Sequence, residues 1–445
     1  MRYARWPRWL FFAAVALAAL ALQALLWASY YQFAPKRLVG DEVRYRELAM
    51  AIWQERAPPS DFLWPPLQEH LLAWLIGPLD GALWAAQVAQ MAMLLLAALA
   101  LRQIWRRIDP TPMAADVAMA LFLTCPALMA FGMYLWPEPV HLLCLLGGLW
   151  LLVAHADRKW AVVLAGAAIG LALLSKSLLS GFWPVLLLFF LRRPLRLNLK
   201  MAALFLVALA VVAGPATVRG WLATGKPLIA DSGVFNLEVG LQDHWRSDYI
   251  DDHTGQLLRG YLDAGETPRE RIAAAEQRID ALVAPRGWRA VLGERLGVQY
   301  FRLFNVKRTL ASQLPGPGCA GYLNAYTLPA NWIHAVSWST KLGYLLLLVA
   351  AGFGLALWRR VNLPTLVVGL FFVYQLILFL VLHVQARFLV PMLPFLCGLA
   401  GSGVVAVVNA RWQPVPAWRY VAASLVIAVL LVLALGGAWL DHGCA

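Results

Sequence analysis

Long apolar runs, broken by short clusters of Arg, Pro, Gly and Asp, set the pattern of this chain. A helix needs about 20 apolar residues to cross roughly 30 Å of hydrocarbon. Residues 9–31, 82–101, 113–131, 201–218, 333–358, 363–382, 388–408 and 420–440 meet or approach that length. Residues 140–154, 160–174 and 178–191 form shorter runs, which read as spans that are tilted or buried by neighbours. The pattern predicts an all-α polytopic membrane protein with about eleven transmembrane helices. Residues 1–218 carry the first spans and a first outer loop at 32–81. Residues 219–331 form a larger outer loop, and 332–445 carry the remaining spans.

The polar stretches have patterns of their own. After Gly40-Asp41-Glu42, the residues Tyr45, Leu48, Ala49 and Ile52 recur on one helical face. Trp64-Pro65-Pro66 is a stiff turn that can open a second helix, with Leu67, Leu71, Trp74 and Leu75 on one side. Both read as interfacial helices. In the larger loop, Asp231 to Asp252 is rich in Gly, Asp and Asn and reads as irregular. Thr267-Pro268-Arg269-Glu270 is a capping box that opens a helix to about Val283, and a further helix is expected over 288–304.

Composition agrees with a bilayer setting: 61% of residues are apolar or aromatic and only 14% are charged, against about 45–50% and 25% in soluble domains. The net charge of +13 would suit nucleic acid in a soluble protein. Here much of the positive excess sits in short loops beside the spans, with Arg2, Arg5, Arg8, Arg102, Arg106 and Arg107 among its residues. That is the positive-inside pattern, so the amino terminus is expected in the cytoplasm and the carboxyl terminus outside. Most acids then fall in the two outer loops. Cys125, Cys144 and Cys397 lie in apolar runs and read as small buried hydrophobes. Cys319 and Cys444 both map outside, where a disulfide is open to them.

Several outer residues could carry chemistry, and each has a plain alternative. Asp41 stands where a helix cap is favoured, but Asp41 and Glu42 together could also deprotonate a hydroxyl or hold a divalent cation. Glu138, in Trp136-Pro137-Glu138-Pro139, is either a solvated turn charge or a carboxylate held by two prolines for function. Lys176 and Arg387 either snorkel to headgroups or bind a phosphate from two distant spans. No Walker loop, GxSxG or HExxH motif competes with these.

In order along the chain, Gly40-Asp41-Glu42, Trp64-Pro-Pro-Leu-Gln-Glu-His70, Pro137-Glu-Pro139, Leu174-Ser-Lys-Ser-Leu178, Asp231-Ser-Gly-Val-Phe-Asn236 and Arg387-Phe-Leu-Val-Pro-Met-Leu-Pro394 make a familiar series. It resembles the GT-C glycosyltransferases related to protein O-mannosyltransferases and lipid A aminoarabinose transferases, over about residues 1–410. The resemblance implies a GT-C fold and a sugar donor carried on polyprenyl phosphate. Asp41 would be the general base on the acceptor hydroxyl. Glu42, Glu138, Lys176 and Arg387, with His70, Asn236 and His383, would form the substrate-binding set. The resemblance fixes no cofactor, and a divalent cation could join the acids. The implied partners are the lipid-linked donor, a glycan, lipid or protein acceptor, and membrane lipid, with no nucleic acid. No soluble domain is expected after the last span, and the chain has one or two fewer spans than some relatives, so the acceptor stays open.

The absence of an Asn-x-Ser/Thr sequon agrees with a multi-pass enzyme of a bacterial inner membrane. A transporter would instead place acids mid-span and repeat its halves, and neither is visible in the sequence. An O-acyltransferase would need an in-membrane centre, for which His141 and His383 are the faint candidates. Within glycosyl transfer, the alternative is a pentose or modified sugar moved to a lipid.

Overall fold

The computed structural model describes residue 38 and residues 40–56, 62–192, 196–242, 253–306, 330–358, 361–408 and 416–440, with isolated positions between 13 and 24. The expected first span and the pair Cys319 and Cys444 lie largely or wholly outside the described residues. Apart from a two-residue antiparallel ladder, Leu191–Arg192 with Arg196–Leu197, the described chain is helical, with some 3-10 segments.

The helices, in chain order, are α1 Asp41–Trp53, α2 Leu67–Ile76, α3 Trp84–Ile108, α4 Pro112–Thr124, α5 Pro126–Phe131, α6 Glu138–His155, α7 Lys159–Ser175 and α8 Leu199–Thr224. They continue with α9 Ser232–Gln242, α10 His253–Leu262, α11 Pro268–Val283, α12 Gly287–Leu303, α13 Ala330–Ala356, α14 Leu363–Val381, α15 Leu393–Val408 and α16 Ala417–Leu440. Among the described residues, six helices are long and apolar enough to cross a membrane: α3, α6, α8, α13, α14 and α16. Shorter apolar helices α4, α7 and α15 pack among them.

Two expected spans take another form. Pro126 lacks an N–H and forces Cys125 into an extended conformation. The run 113–131 is therefore split into α4 and α5. Residues 178–191 are not an α-helix: Ser177–Leu179 and Trp183–Phe190 are 3-10 segments, the second opened by Pro184. Eight residues at ~2.0 Å each reach only about 16 Å, roughly half the hydrocarbon thickness.

The outer helices match the expected positions, with two differences. Helix α1 buries Tyr45, Leu48 and Ala49 as its pattern requires, and Glu42 with them. Helix α2 buries Gln68, Leu72, Ala73 and Ile76 and leaves Trp74 77% exposed. Its inner face is thus turned one residue, about 100°, from the expected one, because Gln68 reaches inward to the carbonyl of Leu135 at 2.9 Å. The capping box at Thr267 and Glu270 forms in both directions and opens α11. The Gly-rich stretch from Asp231 is not irregular at its start: it folds as α9, which buries Phe235, Val239 and Leu241 against α11 and its neighbours.

Packing runs α3–α6–α7–α8 on one side and α3–α4–α15–α13–α16 on the other. Small residues allow the closest approaches. A Cβ on Gly403 would run into the Ala350 carbonyl of α13, and one on Gly354 into the Leu399 carbonyl of α15. Cys125, Cys144 and Cys397 are buried free thiols in this core.

Gly403→Val should lower stability by about 1–3 kcal/mol, the usual cost of overpacking. Thermal unfolding in detergent checks this against Gly147→Ala, whose added carbon meets open space and should be neutral. Equal melting temperatures would show that α13 and α15 are not held this tightly.

Candidate active site

Helix direction brings one end of the bundle together. Helix α6 begins at Glu138, α7 ends just before Lys176, and α14 ends shortly before Arg387, which lies in a 3-10 turn, Ala386–Leu389. The opposite end holds Arg106 and Arg107 in the last turn of α3, where Asn362 donates to the carbonyl of Arg107 at 3.1 Å. Helix α1 lies over the first end. Its cap position is Gly40, at φ 54, a conformation in which glycine carries no Cβ penalty. Asp41 is therefore the first helical residue and not the cap, and its side chain makes no capping bond.

These elements enclose a cavity of about 1700 Å³. Asp41, Glu138, Lys176, Asn236, His383 and Arg387 all line it. Two ion pairs organise its polar part. Arg387 NH2 lies 2.6 Å from Asp41 Oδ2, and Lys176 Nζ donates to Glu138 Oε1 at 2.6 Å. The Glu138 and Lys176 side chains are 1% and 11% exposed, so each would be costly without the other. The second Glu138 oxygen is buried and has no hydrogen-bond partner among the described residues. Lys176 lies just past the end of α7. Burial lowers its pKa, against the opposing pull of the Glu138 carboxylate. Tyr45, one turn along α1 from Asp41, also lines the cavity, and burial followed by the Asp41 charge raises its phenol pKa.

Aromatic rings fix the second cation. The Arg387 guanidinium lies 4.7 Å from the Trp136 ring and 5.4 Å from that of Phe388. Trp136 stacks on Tyr134 at 4.0 Å and 7°, and Phe388 stacks on Phe379 at 5.5 Å and 4°. Planar guanidinium suits such stacking, which Lys could not reproduce. The outer helices grip the same turn. The His383 amide donates to the Asn236 carbonyl at 2.6 Å, and Gly240 leaves no space for a side chain against Val381 and His383. Apolar side chains line the cavity as well: Leu209 and Ala213 of α8, Leu378 and Phe379 of α14, and Trp183.

Two expected members of the set lie elsewhere. His70 is exposed on α2, because that helix turns Gln68 and Leu72 inward. Glu42 is fully buried, faces away from the cavity and accepts from the Leu135 amide at 2.8 Å. Among the described residues, no group of three or more His, Cys, Asp or Glu side chains is placed to hold a metal ion. Three lining residues were not expected from the sequence: Trp64, Arg44 and Arg271. Arg271 is also within 3.7 Å of Asp231, which accepts from Tyr261. The Trp-Pro-Pro turn was a visible cue for Trp64. Nothing in the sequence set Arg271 apart from the other arginines of α11.

Residues 65–221 match the family model of dolichyl-phosphate-mannose-protein mannosyltransferases. Glu138 and Lys176 fall in that stretch, while Asp41 and Arg387 fall outside it. No curated protein matches the chain in sequence. Its backbone is similar to that of an Archaeoglobus fulgidus oligosaccharyltransferase solved with zinc and sulfate, at 15% identity and TM-score 0.51, over 97% of this chain and 53% of that one. The archaeal oligosaccharyltransferase AglB from Archaeoglobus fulgidus, in complex with an inhibitory peptide and a dolichol-phosphate, is 15% identical over 96% of this chain and 56% of that one, with TM-score 0.46. ArnT from Cupriavidus metallidurans bound to undecaprenyl phosphate is 18% identical over 89% of this chain and 77% of that one, with TM-score 0.39. The chain spans about half the length of the oligosaccharyltransferase. The fold is the GT-C fold of multi-pass membrane proteins, as the motif series implied.

Lys176→Met alone should cost about 3–5 kcal/mol, because it leaves the Glu138 carboxylate buried and uncompensated. The double variant Lys176→Met/Glu138→Gln should recover at least half of the loss in thermal unfolding. A double variant no more stable than the single one would remove the ion pair from the account.

Proposed function

We propose that this chain is an integral-membrane glycosyltransferase that moves a sugar from a polyprenyl-phosphate donor to an acceptor hydroxyl on the extracytoplasmic face of a bacterial plasma membrane. One observation carries the reading: two carboxylates and two cations from four separate elements pair in the wall of one large cavity that apolar side chains also line. The apolar wall suits an isoprenoid chain, and Lys176 and Arg387 suit its phosphate through charge-assisted contacts. The family match and the fold support the same class of reaction. The short connectors at the other end of the bundle, rich in Arg and Lys and poor in acids, support the orientation.

The chemistry follows from the charges. A phosphate leaving group already carries negative charge, so it needs cations more than a general acid. In a single displacement, the bond from the anomeric carbon to the phosphate oxygen breaks as the acceptor oxygen attacks from the opposite face. The electron pair leaves with the phosphate, the hydroxyl proton passes to Asp41, and the anomeric configuration inverts. A phosphate arriving at Lys176 and Arg387 competes with both carboxylates for these cations. Asp41, released from Arg387, then has its carboxylate oxygen open to the acceptor hydroxyl. Glu138 holds the Lys176 side of the cradle. The acids sit at the bundle end and not mid-span, which disfavours a transporter.

Asp41→Asn should lower transfer about 10²–10⁴-fold, the usual contribution of a positioned base. Mass spectrometry of envelope lipids, glycans and proteins from cells carrying wild type or this variant checks it. The expected result is an accumulated lipid-linked sugar and one missing glycan in the variant, which would name donor and acceptor. Identical profiles in every fraction would refute the assignment.

A further inference from the structure

Residues 132–137, between α5 and α6, are non-helical and deeply buried: Met133, Tyr134 and Leu135 are each at most 3% exposed. Backbone groups in such a place cannot reach water and must find partners within the protein. Three buried polar side chains supply them. Glu42 of α1 accepts from the Leu135 amide at 2.8 Å. Gln68 of α2 donates to the Leu135 carbonyl at 2.9 Å, and Gln87 of α3 donates to the Met133 carbonyl at 3.2 Å. Both backbone groups of Leu135 are thus held from the two outer helices.

What this turn carries is the paired charges of the cavity. Trp136, one residue on, stacks on Arg387. Glu138, three residues on, accepts from Lys176. Asp41 and Glu42 are neighbours on the first turn of α1, and a step of about 100° sends them in different directions. Asp41 points into the cavity towards Arg387, and Glu42 points to the turn. The base and the two groups that set the cations are therefore fixed to one another through a single buried carboxylate. Tyr45, Ala49, Leu72 and Ile76 pack around Leu135 and complete that rigid unit.

We infer that Glu42 is a positioning residue, whose carboxylate oxygen clamps the 132–137 turn and so sets Trp136 and Glu138 against Arg387 and Lys176, and that it does not bind the substrate. Its effect on transfer rests on the proposed glycosyltransferase reading, whereas the clamp itself does not. A clamp needs only an acceptor oxygen, which an amide also offers. A substrate or cation ligand would need the charge.

The test compares Glu42→Gln, Glu42→Leu and Gln68→Met in the full-length protein in detergent, by hydrogen exchange of the 132–137 peptide and by transfer kinetics. Glu42→Gln should keep the peptide protected and kcat near that of wild type. Glu42→Leu should speed its exchange at least ~10-fold, since an orphaned buried donor costs about 1–3 kcal/mol, and should lower kcat about 10²-fold, the scale of a 1 Å misplacement. Gln68→Met releases Leu135 from the other side and should act in the same direction, which keeps the test open if Glu42→Leu fails to fold. A Glu42→Gln protein that stays protected but loses activity would overturn the inference in favour of a charge acting on substrate. Unchanged exchange in Glu42→Leu or Gln68→Met would overturn the clamp. If wild type transfers no sugar, the functional reading falls, and the exchange results still decide the clamp.

Discussion

A charge or a backbone amide taken out of water must be paired, because leaving it unmet costs several kcal/mol in a low-dielectric surrounding. Much of the active end of this bundle follows from that constraint. Two acidic and two basic side chains converge there, and they do so as two pairs, Asp41 with Arg387 and Glu138 with Lys176. The non-helical turn before α6 survives at depth only because Glu42, Gln68 and Gln87 reach it from three helices. Polar residues that look scattered along the chain are thus spent on one short segment. The result is a rigid frame of outer helices and turn, onto which Arg387 docks from the far end of the sequence.

The same economy shapes the cavity. Its charged groups are bracketed by aromatic rings. Apolar side chains of α8 and α14, with Trp183, line the cavity as well. Helix α9 then holds the turn after α14 through the His383 amide and the close contact at Gly240. The outer loop is therefore coupled to the position of Arg387. A ligand with an acidic head and a long apolar tail matches this lining, and a wholly polar substrate would leave its apolar side chains unused.

Much of this was legible in the sequence. Acids near span ends drew attention to Asp41 and Glu138, and cations in outer turns to Lys176 and Arg387. Each of these signals was weak alone, and the order of the motifs along the chain is what joined them into one set. Other features were hidden for physical reasons. Apolarity alone does not separate an α-helix from the 3-10 segments after Lys176. The Gly and Asn of α9 conceal a buried face of Phe235 and Val239 until α11 is there to cover it. Asp41 and Glu42 look equivalent as neighbours, yet one helical step gives them different surroundings. The inward turn of Gln68, which displaces His70 outward, depends on a carbonyl in a different segment that no local pattern announces.

The central claim is that Lys176 and Arg387 form a phosphate cradle in a cavity that apolar side chains also line. Binding of undecaprenyl phosphate and of the uncharged undecaprenol, measured by native mass spectrometry on wild type and on Lys176→Met/Arg387→Met, tests it most directly. Loss of two charge-assisted contacts, each worth about 1.5–3 kcal/mol, predicts at least ~100-fold weaker phosphate binding in the double variant. It also predicts a preference of wild type for the phosphate over the alcohol. Equal binding of the two lipids by wild type, or undiminished phosphate binding by the double variant, would contradict the account.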